Sequence, residues 1–154
     1  MYIGHDSREM RTRMTTVEKA ITILKENGYK YTDKREQMLS IFVNEDRYLP
    51  AKEVHLLLRK NYPTISYDTI YRNLYTFVEL GVLEETELNG EKMFRFGCMH
   101  QGHHHHFICT SCGMTKNIKM CPMNFFEEQL SGCEMESHRF EIFGKCKECS
   151  EKPY

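Results

Sequence analysis

The chain has 154 residues, of which 40% are hydrophobic and 28% are charged, and its formal net charge is −1. No apolar run approaches the roughly 18 residues that span a bilayer, and the N-terminus lacks the apolar segment of a secretory signal. These values predict a cytoplasmic globular protein with no membrane partner. They also mean that any nucleic-acid binding depends on one cationic face rather than on bulk charge.

Cysteine and histidine are distributed very unevenly along the chain. All seven cysteines fall within residues 98–149, and five of the eight histidines lie between His100 and His106. This shift predicts two domains, with metal chemistry confined to the second. The predicted divisions are a mobile N-terminal tail at 1–13, a first domain at 14–97 and a second domain at 98–154.

Four amphipathic helices are predicted in the first domain from apolar residues at helical spacing. Capping and helix-ending residues set their limits. In chain order, these are a helix from Val17 to Gly28, one starting at Thr32 or Asp33, one with Pro50 in its first turn, and one from Ser66 to Gly81.

A hairpin follows the fourth helix. Residues 82–88 and 91–96 have strand-like composition, and Asn89-Gly90 between them is typical of a two-residue turn. Several helices followed by a hairpin predict a winged helix-turn-helix. A small helical domain with a hairpin and no role in DNA binding is the alternative.

The fourth helix has a polar face that suits a recognition helix. Arginine can pair with guanine, and tyrosine, serine and threonine can contact phosphate or a thymine methyl. A solvated face without function is the alternative. The candidate DNA-binding residues are Ser66, Tyr67, Thr69, Tyr71 and Arg72, with Lys34 and Arg35 of the second helix as backbone contacts.

Two Cys-x-x-Cys pairs predict a structural zinc site in the second domain. They are Cys109/Cys112 and Cys146/Cys149, and together they supply the four thiolates of a closed tetrahedral shell. Two disulfides are disfavoured in the cytosol, and a redox dithiol would leave the second pair unexplained. Zinc binding would contribute to folding a domain too small for a large core.

The run of four histidines before the first pair is a second metal-binding candidate. If a strand begins near Phe107, alternation places His104 and His106 on one face and His103 and His105 on the other. A solvated polar loop is the alternative. Residues 122–130 predict a short helix and residues 139–144 a strand. Cys121 and Cys133 lack Cys-x-x-Cys partners and are interpreted as free thiols.

Taken together, these motifs resemble the ferric uptake regulator family and, within it, the zinc uptake regulators. The resemblance covers the chain from about Val17 to Cys149. The matching segments are 31–35, 66–72, 81–83, 103–113 and 137–149. It implies an α+β protein, with an N-terminal winged helix-turn-helix domain and a small α/β metal-binding dimerisation domain. It also implies a homodimer that binds double-stranded operator DNA when loaded with metal.

By position, the resemblance implies a regulatory metal site formed by Glu84, Cys98, His104 and His106. Glu85 is the alternative to Glu84, because the register of the hairpin is not fixed by sequence. The expected content is therefore one structural and one regulatory zinc ion per monomer. A further site is implied at His103, His105 and His138 with a carboxylate, but Asn124 occupies the position of that carboxylate.

Two departures from the iron and peroxide sensors of the family favour zinc. Those proteins look to have a histidine ligand where this chain has Glu36, and an acidic ligand where it has Asn117. Together with Cys98, these differences predict a zinc-responsive repressor of zinc-uptake genes. An iron- or peroxide-sensing repressor of the same family is the alternative.

Two readings from other functional classes are less favoured. A zinc enzyme would need an open coordination position and a general base, and no catalytic motif accompanies the cysteines and histidines. A zinc-storage protein would have no operator affinity. We therefore predict no enzymatic activity and no small-molecule substrate.

Overall fold

A computed structural model describes residues 7–97 and 104–152 of the chain, with side chains of the first helix described from Thr16 onward. The chain separates into two compact units, Met1–Cys98 and Met99–Tyr154. Among the described helices, none has the length and apolar character needed to cross a membrane. We refer to the two parts as unit 1 and unit 2.

Unit 1 consists of four helices and a three-stranded antiparallel sheet of order β1-β3-β2. The inward faces of the helices meet the sheet in one buried apolar cluster, in which Phe42, Leu74, Phe77 and Phe94 are fully buried. The elements are α1 Ser7–Glu26, α2 Asp33–Glu45, β1 Leu49–Pro50, α3 Ala51–Leu58, α4 Tyr67–Glu79, β2 Leu83–Leu88 and β3 Glu91–Phe96.

The first helix begins earlier than the sequence predicts. It starts at Ser7, so residues 7–13, predicted as part of a mobile tail, are helical. That prediction relied on the lack of apolar periodicity, but this segment contains arginine, glutamate and methionine, which favour helix without burial. Residues 1–6 lie outside the described part.

Local signals fix the position of α4 and the hairpin. The Ser66 hydroxyl accepts a hydrogen bond from the Thr69 amide at 3.2 Å, which confirms the predicted N-cap. Asn89 and Gly90 have φ values of 52° and 80°, the left-handed conformation that a tight hairpin turn requires. The order of helices and hairpin is that of the predicted winged helix-turn-helix.

Unit 2 is built on a second three-stranded sheet, of order β5-β4-β6. The central strand β4 is antiparallel to β5 and parallel to β6, and the parallel register runs from His106↔Glu141 to Cys109↔Gly144. The predicted helix and strand are present, whereas β5 and α6 were not predicted. The elements are β4 His105–Cys109, β5 Thr115–Ile118, α5 Met123–Gln129, β6 Glu141–Gly144 and α6 Lys147–Glu151.

Unit 2 leaves many large apolar side chains in contact with solvent. The sequence predicted Phe125 and Phe126 in a helix and Ile142 and Phe143 in a strand, yet their exposed fractions are 64%, 42%, 44% and 45%. Exposed apolar area of this extent is typical of a protein–protein interface.

Candidate metal centres and nucleic-acid interface

The four predicted zinc ligands of unit 2 converge. The sulfurs of Cys109, Cys112, Cys146 and Cys149 all lie within 4.8 Å of one another. The Sγ atoms of Cys112 and Cys146 are 3.8 Å apart. In a tetrahedral zinc–thiolate shell with bonds of about 2.3 Å, sulfurs are separated by about 3.8 Å. The four thiols therefore have the spacing of a closed zinc site.

Backbone geometry brings the two Cys-x-x-Cys pairs together. Cys109 ends β4, and Gly113 turns the chain back with a φ of 77°. The neighbouring strand β6 ends at Gly144, which places Cys146 at the N-cap of α6. The Cys146 amide donates a hydrogen bond of 3.3 Å to the Cys109 sulfur. The parallel pairing of β4 with β6 thus places the second pair beside the first.

The electrostatics of this cluster favour a bound cation. Burial raises the pKa of Cys109, but amide donors from Cys146, Cys112 and Ser111 outweigh it and lower the pKa to about 6. The contact with the Cys146 side chain, burial and the neighbouring thiols raise the pKa of Cys149 to about 12. One thiol therefore ionises readily and opposes ionisation of the others. A divalent cation bonded to all four sulfurs would favour the ionised form of each thiol and so relieve this conflict.

The histidines at the start of β4 and just before it alternate between two sides of the chain, as predicted. The rings of His104 and His106 lie together with centroids 4.9 Å apart, and the ring of His105 contacts His138 and Phe140 instead. His103 lies outside the described residues. Two of the imidazoles predicted for the regulatory site are therefore adjacent within unit 2.

A cluster of three potential metal ligands surrounds His105. Cys121, interpreted from sequence as a free thiol, has its sulfur 3.4 Å from Nε2 of His105 and 3.5 Å from Nε2 of His138. The structure therefore brings together two of the three histidines predicted for the further site. Sequence analysis missed Cys121 because no spacing motif connects it with either histidine.

The other predicted ligands of the regulatory site are described only in part. Glu84 lies on β2, where its Cα pairs with that of Arg95. The alternative, Glu85, forms an ion pair of 3.7 Å with Lys92. Cys98 lies outside the described residues, so its predicted role stays a prediction.

The two positions that argued against an iron sensor have defined surroundings. The Glu36 carboxylate accepts a hydrogen bond from the Tyr31 hydroxyl, which raises the pKa of that hydroxyl. Asn117 pairs with His106 across the β4–β5 ladder, and directly paired residues project from the same face of a sheet. At this position the chain presents a neutral amide rather than an acidic ligand beside His106.

The outer face of α4 carries the predicted DNA-binding side chains. Arg72 is 78% exposed and forms an ion pair of 2.6 Å with Asp68, one turn earlier. Tyr67 stacks on His55 with centroids 4.1 Å apart, and Tyr71 stacks on Tyr75 at 6.0 Å. Such stacking limits the freedom of the tyrosine rings before any ligand is bound. Tyr75, 45% exposed, extends this face beyond the predicted set.

The two predicted contacts on α2 differ in their surroundings. The Arg35 side chain donates to Oδ1 of Asn73 at 3.0 Å and to the backbone carbonyl of Lys30 at 2.5 Å. It therefore connects α2 to α4 and helps to position the candidate recognition helix. The Lys34 ammonium lies 5.4 Å from the centre of the Tyr62 ring.

Sequence comparisons place these features among known regulators. The family model for the "Ferric uptake regulator family" matches residues 26–143. The chain is 53% identical over 133 residues to the ferric uptake regulation protein of Staphylococcus epidermidis, covering 86% of this chain and 95% of that protein.

Solved structures support the same fold. The ferric uptake regulator of Francisella tularensis with iron has a TM-score of 0.63 and 29% identity, covering 80% of this chain and 96% of that one. A zinc uptake regulator complexed with zinc and DNA has a TM-score of 0.69 and 22% identity, covering 91% of this chain and 96% of that one. The predicted α+β fold is confirmed.

Proposed function

Because the chain belongs to the ferric uptake regulator family, whose members are metal-responsive DNA-binding transcription regulators and not enzymes, we propose that it is a zinc-responsive repressor. Zinc-loaded protein would bind operator DNA in the cytoplasm as a homodimer and repress zinc-uptake genes. At low zinc the protein would leave the operator.

The chemistry of the available side chains is the main support for zinc. A thiolate with imidazoles is a borderline-soft donor set, which suits zinc better than iron(II) or manganese(II). Asn117 gives no carboxylate beside His106, and the Glu36 carboxylate accepts a hydrogen bond from Tyr31. The likeness to a zinc uptake regulator complexed with zinc and DNA agrees with this choice only at the level of fold.

Two zinc ions with different roles are proposed for each monomer. The structural ion would be held by Cys109, Cys112, Cys146 and Cys149. The regulatory ion would be held by Glu84, Cys98, His104 and His106, and the adjacent rings of His104 and His106 support this set. Since its ligands come from both units, this ion would fix the hinge between them, and metal and DNA binding would strengthen each other by about 1–3 kcal/mol.

DNA recognition is assigned to α4, and dimerisation to unit 2. Exposed Arg72 would read a guanine edge, while Ser66, Thr69 and the tyrosines would contact phosphates or a thymine methyl. The exposed apolar residues Phe125, Phe126, Ile142 and Phe143 supply the kind of surface that a homodimer would cover. Two recognition helices would then meet an inverted repeat.

The first test addresses metal specificity. Zinc-loaded protein selects duplexes from a random pool, and binding of the selected duplex is followed by fluorescence anisotropy across buffered zinc and, separately, buffered iron(II). We expect zinc to tighten binding and Cys98→Ser to abolish that dependence. Cys133→Ser, which changes an exposed thiol of unit 2, is the matched control. A Cys98→Ser protein with unchanged zinc dependence would refute the proposed sensor site.

The second test addresses the recognition helix. Arg72→Ala should weaken binding of the selected duplex by about 1–3 kcal/mol and relax preference at one base position. Lys19→Ala removes an exposed cation from α1 and serves as the control. Equal effects of the two substitutions would show that α4 does not read bases.

An iron-responsive regulator is the second candidate. It is favoured by the staphylococcal relative at 53% identity, whose name is ferric uptake regulation protein. Iron(II) would then tighten operator binding at concentrations where zinc does not, and Cys98→Ser would leave that response intact. The same titration therefore decides between the two.

A further inference from the structure

The cluster at His105, Cys121 and His138 draws its members from three separate segments of unit 2. His105 lies on the central strand β4, Cys121 lies between β5 and α5, and His138 precedes β6. One ligand atom from each lies within 4.8 Å of the other two. Residues so distant in sequence meet here because three strands order the segments around one face of the sheet.

The distances match metal coordination. The Cys121 sulfur is 3.4 Å from Nε2 of His105 and 3.5 Å from Nε2 of His138. With zinc–sulfur bonds of about 2.3 Å and zinc–nitrogen bonds of about 2.0–2.1 Å, a tetrahedral shell separates sulfur from nitrogen by about 3.5 Å. N–H···S or S–H···N hydrogen bonds can have the same lengths, and the metal titration below distinguishes them from coordination.

The surroundings of the cluster hold its central ligand in place. The exposed fraction of His105 is 6%. Its ring lies 5.5 Å from the Phe140 ring and 5.2 Å from the His138 ring. Backbone pairing with Ile118 fixes the strand beneath it. Such packing orients the imidazole and limits access of water, as the outer shell of a metal site does.

The cluster is distinct from the other two metal centres. His104 and His106 project from the opposite face of β4, since residues alternate along a strand. The four zinc-site thiols are Cys109, Cys112, Cys146 and Cys149. Cys121 therefore belongs to neither of the sites assigned above.

We propose that Cys121 supplies the anionic ligand of the further metal site that the family resemblance implies at His105 and His138, its thiolate taking the place of the carboxylate. Asn124 is neutral, so the charge that balances the cation comes from sulfur. Two imidazoles and one thiolate select zinc over iron(II) and manganese(II), and they leave a fourth coordination position. The site is proposed independently of operator binding and of Cys98.

The experiment counts thiolate–metal bonds with cobalt(II), which substitutes for zinc and gives a sulfur-to-cobalt charge-transfer band. All proteins are full-length and carry Cys98→Ser, which silences the sensor site. Each is purified with one zinc per monomer and titrated with cobalt(II), and metal analysis before and after the titration verifies that the zinc is retained. Cys98→Ser/Cys133→Ser is compared with Cys98→Ser/Cys121→Ser. Both pairs lose two thiols, and circular dichroism verifies their folding.

We expect Cys98→Ser/Cys133→Ser to keep the charge-transfer band. Cys98→Ser/Cys121→Ser should lose the band and bind cobalt(II) at least about 10-fold more weakly. His138→Gln, which retains the thiol, should weaken cobalt binding similarly if Cys121→Ser perturbs folding. A band of equal intensity in both double variants, or in neither, would overturn the proposal. Failure of the zinc-sensor proposal would appear separately. In that case the cobalt(II) spectrum of the Cys98→Ser single variant would equal that of the unmodified protein.

Discussion

In unit 1, one cluster of buried apolar side chains joins all four helices to the hairpin, and Phe42, Leu74 and Phe77 are fully buried. In the described part of unit 2, the buried hydrophobic residues are Ile108 and two cysteines of the four-thiol centre. Several phenylalanines there are instead exposed. The first unit is thus stabilised by apolar burial, and we expect the second to depend on bound metal and on contacts with another protein surface. The two units should therefore fail under different perturbations.

The largest effect is expected from Cys146→Ser. Structural zinc binding contributes about 10–16 kcal/mol in small zinc domains, and Cys146→Ser leaves only three of the four thiolates to hold the ion. Unit 2 should become protease-sensitive and lose its zinc, while unit 1 keeps its helices. Limited proteolysis with mass spectrometry and metal analysis measure both, with Cys133→Ser as the control. A zinc-free unit 2 that resists protease would show that its fold does not depend on the metal.

The converse substitution is Phe77→Ala. Removing a fully buried phenylalanine from the unit 1 cluster should cost about 3–5 kcal/mol. Chemical denaturation should show unit 1 unfolding at lower denaturant, with zinc still bound at the four-thiol centre. Leu56→Ala, at a position that is 61% exposed in the same unit, should leave the midpoint nearly unchanged. Loss of the zinc of the four-thiol centre when unit 1 of Phe77→Ala unfolds would show that the two units are not independent.

A smaller effect tests the exposed apolar surface of unit 2. Phe143→Asp should raise the dimer dissociation constant by about 30-fold or more, equivalent to about 2 kcal/mol, because a buried interface would reject the carboxylate. Analytical ultracentrifugation measures the constant. Leu56→Asp places the same charge at an exposed leucine of unit 1 and should leave association unchanged. Equal dimer constants for the two variants would exclude this surface from the interface.

The smallest effect is expected from Ser66→Ala. The hydroxyl caps α4, and its loss should destabilise unit 1 by about 1 kcal/mol. The unfolding temperature of unit 1 alone should fall. Ser131→Ala, which changes a serine after α5 in unit 2, should leave that temperature unchanged. An unchanged unit 1 transition in Ser66→Ala would mean that the cap contributes nothing measurable.

Features encoded locally were predictable from the sequence. Asn89-Gly90 specifies its turn because both residues tolerate positive φ. Ser66 specifies a helix start because its hydroxyl accepts a hydrogen bond from the backbone amide three residues later. The cysteine pairs specify a four-thiol centre through spacing alone, and the structure brings these thiols together. Each of these signals is a short sequence motif that identifies its feature without knowledge of the rest of the fold.

Features that depend on distant contacts were not predictable. The short strand β1 exists because Leu49 and Pro50 pair with Phe94 and Met93 of the wing. Cys121 meets His105 and His138 only after β4, β5 and β6 have assembled. The early start of α1 was missed for another reason, since polar helix formers give no apolar periodicity.

The parallel pairing of β4 with β6 has a consequence for how zinc is acquired during folding. Strands β4 and β5 pair across the short turn at Gly113, but β6 can join only after the long intervening segment has closed into a loop. Such closure is slow because its entropic cost precedes the contacts that offset it. We therefore expect a newly made chain to offer metal only the two sulfurs of Cys109 and Cys112 at first. Firm retention of zinc would begin when β6 docks, so the rate of loop closure would limit the rate of metal capture.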